Sequence, residues 1–62
     1  MKLTITINCD NEAFTDNPGL EIARILHLAA DRIDGDPISS GGDGFRLFDL
    51  NGNRVGLVEI TD

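Results

Sequence analysis

The chain reads as a small α+β domain of order β-α-β-β, a three-stranded, mainly antiparallel sheet with one helix packed on one face. Three observations predict it. Residues 2–8 alternate apolar and polar. Residues 18–33 repeat their apolar positions at helical spacing. Two short apolar segments flank Leu50-Asn51-Gly52, a hairpin signal. With 62 residues, positions 1–62 make a single domain.

The first strand is Lys2 to Asn8. Leu3, Ile5 and Ile7 lie on one face and Lys2, Thr4, Thr6 and Asn8 on the other. Continuing the alternation places Cys9 inward, as a small buried apolar residue. Its acidic neighbours Asp10 and Glu12 disfavour a reactive thiolate. Residues 10–17 form a polar connection in which Phe14 plugs the end of the core. Asn17-Pro18 starts the helix, because Pro is preorganised for the first helical position and Asn caps the free amides. Asp16 and Glu21 suit the positive end of the helix dipole.

The spacing predicts a helix from Pro18 to about Ile33, with Ile22, Ile25, Leu26, Ala29 and Ile33 on the buried stripe. Asp34-Gly35 ends it, with Gly35 in a left-handed cap, and Pro37 prevents continuation. Residues 34–44 are too rich in Gly for regular structure. Strands follow at 45–49 and 53–60. A three-residue loop with a bulge pairs Leu47 with Val55 and Phe45 with Leu57. A two-residue turn at Asn51-Gly52 would pair Phe48 with Val55 instead and exchange core and solvent faces. The third strand goes in the middle, being the longest and most apolar. A right-handed crossover placing the second strand there is the alternative. The expected core is Leu3, Ile5, Ile7, Ile22, Leu26, Ala29, Ile33, Leu47, Val55 and Leu57. Phe48, Val58 and Ile60 then face away from the helix, beside Arg46 and Arg54.

Composition excludes several classes. Eleven acids against five Lys and Arg give a net charge of -6, the wrong sign for a direct nucleic-acid footprint. No apolar run approaches the ~20 residues of a membrane span, and no signal-peptide core precedes the first strand. One Cys and one His fall short of a zinc site, and the lone Cys fits a reducing compartment. Calcium-loop spacing fails from Asp34, where Ile38 takes the fifth position, and from Asp49, where Arg54 replaces the required Gly. The Gly-rich Ser39–Gly44 segment lacks the Lys of a phosphate loop. His27 has Asp31 four residues on, the spacing of a helix-surface pair rather than of a catalytic dyad. A fold with one helix also leaves little room for a pocket of ~300 Å³. We expect no enzyme, no cofactor and no metal.

Two surfaces remain. The outward helix face carries Leu20, Arg24, His27, Leu28 and Asp31, more apolar than a solvated face requires, with Arg24 as an anchor. Asp34, Asp36 and Asp43 extend it as an acidic loop. The uncovered sheet face is the second surface and suits a homodimer.

Ile-Asn-Cys-Asp-Asn-Glu-Ala-Phe at 7–14, Pro-Gly-Leu-Glu-Ile-Ala-Arg-Ile-Leu at 18–26 and Asp-Leu-Asn-Gly-Asn-Arg-Val-Gly at 49–56 resemble a group of small bacteriophage-encoded proteins. That resemblance implies a phage accessory protein in the host bacterial cytoplasm. By context it implies an inhibitor of host defence such as an anti-CRISPR protein. The expected action is stoichiometric binding to a basic, nucleic-acid-binding surface of a host protein. The alternative is a homodimeric structural or regulatory phage protein with no defence target.

Overall fold

Alternation, a proline-started helix and a Gly-bearing turn produce the predicted elements in the predicted order. In the computed structural model, which describes residues 1–35 and 44–62, strand β1 is Lys2–Ile7, helix α1 is Pro18–Gly35, β2 is Gly44–Phe48 and β3 is Arg54–Thr61. A single 3-10 turn at Glu12–Phe14 bridges β1 and α1. The expectations for Asp36, Asp43 and the Gly-rich stretch between them lie outside the described residues.

The sheet order is β1-β3-β2, antiparallel throughout. β3 takes the centre, as its length and apolar content predict, and the crossover alternative falls. At the start of α1 the Leu20 N–H donates to Asn17 Oδ1 at 3.1 Å, the expected cap. Gly35 is itself the last helical residue and adopts no left-handed φ, which corrects the expected cap.

The hairpin loop is the three-residue Leu50-Asn51-Gly52. The Gly52 N–H donates to the Asp49 carbonyl at 3.0 Å, and the Asp49 N–H donates to the Asn53 carbonyl at 2.9 Å. Gly52 has φ 85°, the left-handed geometry that closes such a loop. The pairing beyond it differs from expectation. Phe48 lies opposite Arg54, but Leu47 lies opposite Gly56 and Phe45 opposite Val58. Val55 is the extra residue, a bulge that shifts the rest of β3 by one position. Past it, the strands take the register that the two-residue turn would have given.

This bulge redistributes the core. Val55 stays buried, Val58 and Ile60 turn inward, and Leu57 passes to the outer face with Phe48, Arg46 and Arg54. The core comprises Phe14, Ile25, Ala29, Leu47, Val55, Val58 and Ile60. Phe14 plugs it as expected. Leu3, Ile5 and Leu26 were assigned to the core and remain 45%, 36% and 40% exposed. The buried stripe of α1 is Glu21, Ile25 and Ala29, rotated about 55° from the predicted stripe at 100° per residue. α1 packs on β2 and on the 3-10 turn, toward one side of the sheet, which leaves the β1 side thinly covered.

Cys9 is exposed, not buried. β1 ends at Ile7, and the Asp10 N–H turns back to Asn8 Oδ1 at 3.0 Å. This Asx turn breaks the alternation before it reaches Cys9.

Candidate partner-binding surface

The start of α1 and the hairpin meet in a polar corner. Glu21 is buried, and its carboxylate accepts three hydrogen bonds. Arg24 donates through Nε at 2.6 Å to Oε1 and through Nη2 at 2.9 Å to Oε2, and the Leu50 N–H donates at 2.8 Å to Oε2. Arg24 Nη2 also reaches the Phe48 carbonyl at 3.4 Å. The Arg24 bonds lower the Glu21 pKa most, and the Leu50 N–H adds to them against the opposing effect of burial. Arg24 is raised in turn, first by its hydrogen bond to Glu21.

Asp49, also buried, organises the turn itself. Oδ1 accepts from the Asn51 N–H at 2.9 Å and the Asn53 N–H at 2.8 Å. Oδ2 accepts from Asn11 Nδ2 at 3.2 Å and Asn53 Nδ2 at 3.3 Å. Burial works against the Asp49 charge most strongly, but these hydrogen bonds together outweigh it and hold the pKa below 3.8. The two carboxylates are committed to joining the 3-10 turn, α1 and the hairpin. Neither is an acid–base pair in waiting.

Around this corner lies an apolar surface. Leu20 is 69% exposed, Leu50 71%, Leu28 55% and Phe48 50%. Leu20 and Leu50 share a cavity of about 390 Å³ with Ala13, Asp16 and Arg24. Leu28 and Phe48 line a second of about 220 Å³ between α1 and β2, again with Arg24. Three leucine side chains therefore border one Arg–Glu pair, to which Phe48 brings its carbonyl while its ring lies on the outer sheet face. Exposed Leu residues scattered singly need no explanation, whereas a ring of them marks a contact surface. On the other side of Phe45, Arg32 stacks its guanidinium 4.4 Å from the ring centroid and caps the same groove.

The expected partner residues divide across the molecule. Leu20, Arg24 and Leu28 join the ring. Arg24 does so as the clamp of Glu21, not as a free anchor. His27 and Asp31 lie exposed on the solvent side, with no hydrogen bond joining them. Asp34 is exposed at the end of α1, and Asp36 and Asp43 lie outside the described residues. Asp10, Glu12 and Asp16 sit at the opposite end of the helix, about 20 Å from Asp31 and Asp34 at 1.5 Å per residue. That exceeds twice the ~8 Å screening length at physiological salt, so the acids act as two local fields rather than one patch. Leu50 was missed as a surface residue, whereas Phe48 was expected on the outward sheet face and is 50% exposed. The sequence does carry a signal for Leu50, since the second residue of a turn points to solvent.

The expectation of little room for a concave pocket meets only open depressions of the surface. A depression of about 590 Å³ opens at Gly44 and reaches Arg46, Phe48, Leu57 and Glu59. Among the described residues it is lined by no Ser, Thr or Cys. Among the described residues no three His, Cys, Asp or Glu side chains gather to hold a metal ion, and no helix is long and apolar enough to cross a membrane. No family model matches the chain, and no match to it was found among curated proteins or solved structures.

Proposed function

We propose that the chain is a non-enzymatic protein-binding module that seats a partner on the apolar ring around Arg24. One observation carries this reading: Leu20, Leu28 and Leu50 are each more than half exposed around a Glu21–Arg24 pair already satisfied within the chain. A satisfied pair anchored by the buried Glu21 gives a rigid floor, and rigid apolar surface binds without a large ordering cost. Asp16 lines the cavity that Leu20 and Leu50 share, so the complementary partner presents apolar side chains bordered by a basic one. The resemblance to small phage-encoded proteins supports a specific form of the proposal. In that form the partner is a host defence effector of the CRISPR-Cas type, bound in the host cytoplasm through a basic surface that otherwise holds nucleic acid. The acids speed its approach and the apolar ring sets the lifetime of the complex.

The test is capture from phage-infected host cells, followed by binding kinetics with the purified partner at two salt concentrations. Leu28→Ala with Leu50→Ala should raise the dissociation rate about tenfold or more, because both side chains are solvent-exposed in the free chain and central to the ring. Asp31→Asn with Asp34→Asn should slow association at low salt only. An unchanged off-rate in the double Leu variant would remove the ring from the interface. A homodimeric structural or regulatory role is the second reading, and the open edge of β1 favours it.

A further inference from the structure

β1 is an edge strand, since the sheet order leaves one of its sides without a neighbour. In an antiparallel ladder, alternate residues send both backbone groups to the same side. The Asn8 N–H donates to the Val55 carbonyl at 2.7 Å, so Asn8 and, by alternation, Thr6, Thr4 and Lys2 turn their backbone groups to β3. The groups on the open side then belong to Leu3, Ile5 and Ile7. These residues also carry the apolar side chains of the helix-facing side, and Leu3 and Ile5 stay 45% and 36% exposed. Leu26, on the near flank of α1, is 40% exposed. Unpaired backbone and uncovered apolar surface coincide on one strand. Among the described residues the usual guards of a free edge are missing, because β1 has no proline, no bulge against β3 and one charge, Lys2, at its end.

We propose that a second copy of this chain occupies this edge, the two β1 strands pairing antiparallel into one six-stranded sheet. Residues opposite each other in such a pair share a face, so register has a parity. The apolar residues of both copies meet only if the two-fold axis passes through a residue rather than between two. Centred on Ile5, the pairing sets Ile5 against Ile5, Leu3 against Ile7 and Thr4 against Thr6. Leu3, Ile5 and Ile7 each then donate one hydrogen bond and accept another. Aliphatic residues meet on one face and threonines on the other, both favourable cross-strand pairs. Lys2 falls opposite Asn8, so no like charges meet. Both helices lie on the same face of the joined sheet and close the apolar strip between them. A foreign strand could use the same edge, but the chain's own β1 matches it in length, alternation and charge. The ring around Arg24 lies toward the β2 side, so pairing leaves it open on both copies. The two readings are independent, and together they make a bivalent binder.

Sedimentation equilibrium of the full chain, from low micromolar to near-millimolar concentration, should show mass rising from 6.7 kDa toward twice that value. Total synthesis supplies the decisive variant, a methyl group on the Ile5 backbone nitrogen. It removes an edge donor and leaves every side chain and the bonds to β3 in place. We expect native circular dichroism and self-association weakened at least tenfold. A second measurement avoids reliance on that variant. In a Cys9→Ser background, Thr4→Cys chains mixed with Thr6→Cys chains should form the mixed disulfide in preference to either self-disulfide. Those positions form a close, non-hydrogen-bonded pair in the proposed register. A single 6.7 kDa species at the highest concentration overturns the proposal. So does a dimer indifferent to the methyl group, or cross-linking without preference.

Discussion

The two sides of the sheet are finished in opposite ways. On the β2 side, Glu21 and Asp49 bring four backbone or side-chain donors from the hairpin to buried carboxylates, and α1 lies close. On the β1 side, an equally regular strand has its apolar residues half covered and its backbone open. The first side is satisfied from within, so its exposed leucines stand on a fixed floor. The second completes itself only by acquiring a neighbour. A small chain has one helix to spend, and the polar corner draws it to one side.

Adjacent helix positions test this contrast most sharply. Ile25 is 1% exposed, and Ile25→Ala should cost about 3 kcal/mol, a large share of what a fold this small can have. Chemical denaturation measures it. A loss below about 1 kcal/mol would mean that α1 does not sit where the corner holds it.

The acid profile probes the corner alone. The Glu21 and Asp49 pKa values are both lowered in the folded chain, from 4.5 and 3.8. Their contribution is therefore complete above the ordinary carboxylate range. It is lost as pH falls through those ordinary values and on through the lowered folded ones. Protonating the other acids relieves self-repulsion and acts the other way, so the useful quantity is a difference. Thermal midpoints of Glu21→Gln and the parent should differ most at pH 7 and converge as pH falls below the ordinary carboxylate range. A constant difference across that span of pH would show that the charge on Glu21 does not matter.

Leu26→Ala is the smallest effect. Assigned to the buried stripe, this residue would have cost 2–5 kcal/mol on truncation (roughly the range for a core leucine). With 40% exposure it should cost about 1 kcal/mol or less in the monomer. Measured where the chain self-associates, the cost should rise, because the residue borders the proposed joined face.

Much of this architecture is legible because its causes are local. Asn17-Pro18 announces the helix start, Asp49 to Gly52 announces the loop, and the length of β3 announces its central place. The parts that were not legible depend on partners distant in sequence. Glu21 reads as a dipole acid at the first turn. Its burial needs the Leu50 N–H, 29 residues away, as well as Arg24. That pairing rotates α1 and turns Leu26 out. The bulge at Val55 is a backbone event, marked only by Gly56 beside it. A Cβ on Gly56 would collide with the Thr6 carbonyl oxygen, so the close approach of β3 to β1 requires glycine there. One extra residue was enough to exchange Leu57 for Val58 and Ile60. Of the candidate surface, the helix residues were legible and Leu50 was not, because only the fold sets it beside Leu20 and Arg24.

The central place of β3 also orders events in time. Both other strands pair with β3 and not with each other, and β3 follows them in the chain. During synthesis, α1 can begin to coil as soon as it clears the ribosome, since its bonds are local. Not one rung of the sheet can form until the residues from Arg54 onward have emerged. β1 then travels furthest of all to its place, past everything made after it, so its open edge is also the last part of the sheet to arrive.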